Sequence, residues 1–326
     1  MVRRQNRGTG STMAGILIDC AAVLLVVAGG LVLVTLLATR RAERLAPPLG
    51  QFRDVPGGRI HYTDQGSGSA LVLIHGLGGN LRNFAPALVD HLARTHRVIA
   101  LDRPGSGYST TSGATPDLHG QAAMVAALIE ALDPGPVTLV GHSLGGALSL
   151  ALVAARPDLV AALALVAPLT QVITQVPAQF RTLLIGSRWL RLIFGWLVIG
   201  PAGLFAGRAT ELPAFAPDPV PPDFESLGGG ALLFRPRTFD AASCDVQSVR
   251  DVLPAIVDGY SGIARPVAVL FGRGDQILDP ALHGQAFATQ IPGAGCTLVE
   301  GGHMLPFVHP LITAQWIATV APAGAA

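Results

Sequence analysis

Lysine is absent from this chain: all 22 basic side chains are arginine. Together with abundant alanine, glycine and proline, this points to a GC-biased coding sequence of bacterial type and carries no mechanistic information. Charge of either sign is scarce. Only 13% of residues are charged and 50% are hydrophobic, which excludes disorder for most of the chain. The formal net charge is +1, and no basic block stands out beyond the N-terminus, so the electrostatic footprint of a nucleic-acid binder is missing. Cysteine is rare. Cys20 lies in an N-terminal apolar run, which leaves Cys244 and Cys296 in the folded part. No C-x-x-C or Cys/His ligand spacing exists, so no zinc site is expected, and one disulfide is left open. Internal repeats and long charge runs are lacking too.

The 326 residues suffice for one large α/β domain or two small ones. The N-terminus carries the localisation signal. Residues 13–39 are apolar except for Asp19, with Arg3, Arg4 and Arg7 before them and Arg40, Arg41 and Arg44 after. A membrane span needs about 20 apolar residues, and residues 20–38 nearly supply that alone. The alternative is a cleaved signal peptide, whose apolar region is about 7–15 residues and ends at small residues rather than arginines. An uncleaved single-pass anchor in a bacterial inner membrane is the expectation. Arginines nearly balance across it, so orientation is weakly specified, with an extracytoplasmic placement of the remainder favoured. The expected organisation is a basic tail (1–12), an anchor (13–39), a linker (40–50) containing Pro47-Pro48, a core (51–168 and 257–326) and an insertion (169–256).

Within the core, short apolar runs at 71–74, 98–101, 137–140, 163–166, 267–271 and 297–299 are bounded by turn residues. Such runs suit strands buried on both faces of a parallel sheet. A further strand-like stretch covers 59–63. Helix-like segments at 81–94, 116–132, 144–155 and 281–290 alternate with these runs, which argues for a mostly parallel sheet with helices on both faces. The alternation breaks over 169–256, read as an insertion at the strands' C-terminal edge, where loops build sites.

One stretch carries chemistry. Val137-Thr138-Leu139-Val140-Gly141-His142-Ser143-Leu144-Gly145 is a strand, then G-x-S-x-G, then an Ala/Leu-rich helix. A sharp strand-to-helix turn strains its central residue and needs tiny neighbours, as Gly141 and Gly145 provide. Ser143 would stand at the helix N-terminus, where free amides favour developing negative charge.

From about Gln51 onward the chain resembles the α/β-hydrolase superfamily. Leu73-Ile74-His75-Gly76-Leu77-Gly78-Gly79 looks like that family's oxyanion loop, and Asp102-Arg103-Pro104-Gly105-Ser106-Gly107-Tyr108-Ser109 like its structural turn. The resemblance implies an α/β-hydrolase fold with a helical lid and a Ser-acid-His order. It assigns Ser143 as nucleophile, Asp275 after an apolar strand as acid, and His303 behind Gly301-Gly302 as base. Asp279 competes with Asp275, although its place before Pro280 suits a helix cap. The backbone N–H groups of Leu77 and Leu144 would form the oxyanion hole. No cofactor or metal is implied. The expected activity is hydrolysis of a small apolar carboxylic ester. A serine-dependent C–C hydrolase, a cofactor-free perhydrolase and a non-catalytic binding protein remain alternatives. In the insertion, residues 192–200 are apolar nearly all round, so Phe194 and Trp196 are expected to line an acyl pocket, with simple core packing as the alternative.

Overall fold

A computed structural model describes residues 13–173, 178–206 and 212–321, so the basic tail expected over 1–12 lies outside it. Helix α1 (Met13–Leu45) has 33 residues and is about 50 Å long. Its apolar side chains are exposed over the first two-thirds, Leu24 to Val26 by 69–75%. It is long and apolar enough to cross a membrane. The helix runs six residues beyond the boundary expected at residue 39. Arg40, Arg41 and Arg44 are good helix formers, and only Pro47-Pro48 stops the chain from continuing.

Nine strands among the described residues form one sheet: β1 (Gln51–Val55), β2 (Gly58–Gln65), β3 (Ala70–Ile74), β4 (Arg97–Leu101), β5 (Thr110–Thr111), β6 (Val137–His142), β7 (Val160–Val166), β8 (Val267–Gly272) and β9 (Gly295–Val299). The order is β1-β2-β4-β3-β6-β7-β8-β9, with β5 paired to β2. β2 pairs antiparallel with β1, β4 and β5; every pairing from β4 to β9 is parallel. Every residue of β3 is buried, because helices cover both faces. Its alternate side chains feed two cores. Val72 and Ile74 pack with α3 (Leu118–Leu132) and α4 (Leu144–Ala155), while Leu71 and Leu73 pack with α2 (Pro86–Leu92) and the C-terminal helix α10 (Pro310–Val320).

Two expected helices differ in detail. The segment at 81–94 splits into a 3₁₀ turn (Leu81–Asn83) and α2, because Pro86 takes the first helical position. The segment at 281–290 opens as a π turn (Ala281–Ala286).

Between β7 and β8 the described residues hold helices and no strand. They include α5 (Arg188–Phe194), a π turn (Gly195–Ile199), α6 (Gly200–Ala206), α7 (Leu212–Phe215) and α8 (Pro236–Asp258), with α9 (Leu305–Val308) following β9. Helix α8 buries Phe239, Ala242, Val246, Val249, Leu253 and Ile256, a 3-4-3-4-3 spacing that lays one apolar stripe against α3 and α4. Cys244 and Cys296 are both free thiols, so the open disulfide is not formed.

Candidate active site

Ser143 occupies the turn between β6 and α4 with φ 55° and ψ −121°, a conformation that costs a non-glycine residue energy. Its surroundings hold it there. The Ser143 amide donates to the Val166 carbonyl at 3.1 Å, and the Ser143 carbonyl accepts from Gly146 and Leu169 at 2.8 and 2.9 Å. Side chains beside it have no room. A Cβ on Gly145 would lie 2.0 Å from the Ile74 carbonyl oxygen, and one on Gly141 would lie 2.6 Å from that of Gly145. The turn therefore exists because glycine stands at both offsets, which is the physical content of the motif.

Asp275 follows β8 and His303 follows β9. His303 Nδ1 lies 2.6 Å from Asp275 Oδ2, with both side chains buried. The second carboxylate oxygen of Asp275 accepts from the amides of Ile277 and Leu278 at 2.8 and 3.0 Å. Burial alone would raise the Asp275 pKa; His303 and these donors outweigh it and hold the carboxyl below its ordinary value. Asp279 is exposed and caps the following π turn, accepting from the Ala281 amide at 2.9 Å. The geometry thus brings Asp275, and not Asp279, to His303.

The loop after β3 brings its own order. The Arg103 amide donates to His75 Nε2 at 2.9 Å, which puts the His75 proton on Nδ1. That Nδ1–H then donates to the Gly76 carbonyl at 2.8 Å. Arg103 Nη2 donates to the same carbonyl at 3.2 Å. The Gly76–Leu77 peptide plane is therefore gripped by its oxygen, and its N–H, on the opposite side of a trans peptide, belongs to Leu77. Burial, aided by Arg103, lowers the His75 pKa to about 3, so the neutral tautomer persists at neutral pH. Arg103 is fully buried and pairs with Asp245 of α8 at 2.7 Å, while Gln121 bonds both. The Leu144 N–H lies in the first turn of α4, where amides lack a partner within the helix.

Two cavities meet at Ser143. One, about 80 Å³, is apolar and lined by Leu77, Leu144, Leu169, Phe180, Val246 and Val249 among others. The second, about 160 Å³, reaches His303 and carries His142, Asn80 and Phe224 on its walls. His142 is buried, and Nε2 donates to the His303 carbonyl at 3.0 Å, so Nδ1 is a bare acceptor. Burial lowers its pKa to about 3.

The expectation for Phe194 and Trp196 is corrected. Neither lines either cavity at Ser143. The Phe194 ring packs on Phe239 with centroids 5.6 Å apart, and Trp196 lies in the π turn packed against α1. The apolar wall comes instead from α8, whose stripe faces the core. Asp102 is structural: it accepts from His61, Tyr108 and Leu81, each at 2.7 Å. Sequence reasoning misses Arg103, Asp245 and Asp218. The signal for Asp245 is an acidic residue on the apolar stripe of α8, which demands a buried cation. Asp218 accepts from the Gly302 amide at 2.8 Å and bonds His309 at 3.3 Å, holding the loop before His303. It lies in a Pro/Gly-rich stretch with no periodicity to mark it.

Comparisons with known proteins agree with this architecture. The profile of a family described as alpha/beta hydrolase fold matches residues 69–188. An uncharacterized protein of Mycobacterium tuberculosis is 32% identical over 284 residues, covering 82% of this chain and 79% of that one. A 2-(acetamidomethylene)succinate hydrolase of Mesorhizobium japonicum is 28% identical over 273 residues, covering 81% of this chain and 93% of its own. Among solved structures, a thermophilic esterase from Thermogutta terrifontis superposes with a TM-score of 0.67 at 22% identity, covering 83% of this chain and 97% of the esterase.

Proposed function

The chain belongs to the α/β-hydrolase superfamily, and from that premise we propose that it is a membrane-anchored serine hydrolase that cleaves carboxylic esters with an apolar acyl part. Ser143 Oγ attacks the ester carbonyl while His303 takes its proton. Asp275 holds the imidazole with Nδ1 protonated, which leaves Nε2 free to act as base, and stabilises the imidazolium that forms. The Leu77 and Leu144 N–H groups receive the oxyanion, and the Gly76–Leu77 peptide arrives already oriented by Arg103 and His75. His303 then protonates the departing alkoxide. Water, deprotonated by the same imidazole, releases the acid and restores Ser143.

The observation that carries this reading is the pairing of Asp275 with His303 at 2.6 Å, on the cavity that Ser143 also lines. The arm beyond Leu77 and Leu144 is lined by apolar side chains except for Ser143 and Arg250, which suits an alkyl acyl group. The insertion, with α8 forming one wall, acts as a cap over the site, and α1 holds the enzyme to a bilayer. The test is hydrolysis of p-nitrophenyl butyrate by the detergent-solubilised full chain and by Ser143→Ala. The substitution should lower kcat by at least about 10³-fold with thermal unfolding unchanged. Near-wild-type turnover by the folded variant would overturn the assignment.

A further inference from the structure

The cap is tied to α1 at one defined height. Pro201 has no N–H to donate within the helix, and the backbone before it opens into the π turn. The Gly200 amide bonds the Gly195 carbonyl, five residues back. In the same register the Trp196 carbonyl would need the Pro201 amide, which does not exist. Thr35 of α1 supplies the missing donor: its hydroxyl bonds the Trp196 carbonyl at 2.6 Å. Thr35 is fully buried there, and a Cβ on Gly200 would lie 2.3 Å from its methyl group. Further along α1, Glu43 pairs with the buried Arg235 at 3.1 Å, and the Tyr108 hydroxyl donates to the Ala46 carbonyl at 2.7 Å. The π turn and α6 therefore meet α1 nearer its apolar end than Arg235 of the same insertion and Tyr108 of the core do.

That height has a consequence for the outer face of the cap. The apolar run of α1 ends at Ala38, and Arg40 and Arg41 follow. At 1.5 Å per residue, Thr35 lies about 5 Å inside the end of the run. The π turn bonded to it must lie at the same depth. Trp189, Leu190, Ile193, Val198 and Leu204 of this helical stretch are 44–74% exposed in the protein alone. The five-residue step from Ile193 to Val198 returns to the same side because the turn between them is π-helical. Arg188, beside Trp189, is also exposed.

We propose that α5, the π turn and α6 form an interfacial membrane element, seated by Thr35 in the headgroup–acyl boundary of the bilayer that α1 spans. The occupant of the exposed face is lipid, since the π turn and α6 pack on α1 at the depth that Thr35 sets. The proposal rests on the reading of α1 as a span. It places the cap of the proposed site in contact with lipid, where amphiphilic esters partition.

The test uses the full chain in two sets of phosphatidylcholine vesicles, brominated near the carbonyl end of the acyl chains to read the cap and near the methyl end to read the middle of α1. The chain has three tryptophans, Trp189, Trp196 and Trp316, so single reporters are available. Trp196→Phe with Trp316→Phe leaves Trp189; Trp189→Phe with Trp196→Phe leaves Trp316 on the far helix α10. A third chain replaces all three by Phe and carries Leu25→Trp in α1. Interfacial helices lie about 5–10 Å into the boundary, so Trp189 fluorescence should fall about twofold while Trp316 is unaffected. Quenching at residue 25 with Trp189 no more quenched than Trp316 overturns the cap proposal alone, including the case in which a second copy of the chain covers this face. An unquenched reporter at residue 25 overturns the span and the proposal with it. The esterase assignment is read separately from p-nitrophenyl butyrate turnover in detergent.

Discussion

Filling the apolar arm should switch off chain-length preference without switching off chemistry. Val249 lies on the buried stripe of α8 and lines the cavity of about 80 Å³ next to Ser143. Butyrate carries two more methylenes than acetate. At about 0.8 kcal/mol per buried methylene, the arm contributes about 1.6 kcal/mol toward the longer ester, or about 15-fold in kcat/KM. Val249→Phe sets a ring in that space, so the butyrate-to-acetate ratio should fall from about 15 to about 1, with acetate turnover retained. Overpacking should cost about 1–3 kcal/mol of stability, which thermal unfolding in detergent would register. Val249→Ala should act in the opposite direction and move the optimum to longer chains. Steady-state kinetics on a p-nitrophenyl series from acetate to decanoate is the assay. A folded Val249→Phe enzyme with an unchanged ratio would refute the placement of the acyl group in this arm.

Four other outcomes are expected. Asp275→Asn should lower kcat by about 10³–10⁴-fold through the wrong His303 tautomer. Asp279→Asn should be nearly silent, because Asn caps as well as Asp; kinetics with the reverse ranking would move the acid. Asp245→Ala leaves the Arg103 guanidinium buried without its counter-ion and should cost about 3–5 kcal/mol in denaturant unfolding, and a loss under about 1 kcal/mol would contradict it. Buried neutral histidines should also make the fold acid-sensitive. His75 and His142 have folded pKa values of about 3, against about 6.5 when unfolded. The unfolded chain therefore takes up protons that the folded chain refuses, and stability falls as pH drops from 6.5 toward 3. Each should cost on the order of 2 kcal/mol at pH 5, and a flat unfolding profile between pH 7 and pH 5 would contradict the burial argument.

The legible parts of the fold and site are those where the backbone constrains residue type. Gly141 and Gly145 mark the turn at Ser143 because any side chain there would strike backbone. The buried strands are legible as short apolar runs because both faces of the sheet are covered. Asp275 and His303 each follow such a run, and it is the family resemblance that implies their meeting. Asp279 competes only until its place before Pro280 is read as a cap, and the Ala281 amide does bond it. The insertion is different. Residues 192–200 are apolar nearly all round, a pattern that names burial or lipid but no partner, and that pattern alone does not separate an acyl pocket from the packing of Phe194 on Phe239 and of the Trp196 turn on α1. Helix α8 hides its stripe among polar residues and starts at a proline. The grip of Arg103 on Gly76 depends on a contact with residue 245, at a sequence separation that no local pattern encodes.

Covalent trapping asks whether the Ser143 hydroxyl is a nucleophile activated by His303. The full-length chain in detergent is treated with a fluorophosphonate and its peptides are mapped by mass spectrometry. One phosphonyl adduct is expected, on the peptide carrying Ser143, with labelling slowed by orders of magnitude in His303→Ala. An unlabelled Ser143 in folded protein, or an adduct formed at the same rate without His303, would contradict the account.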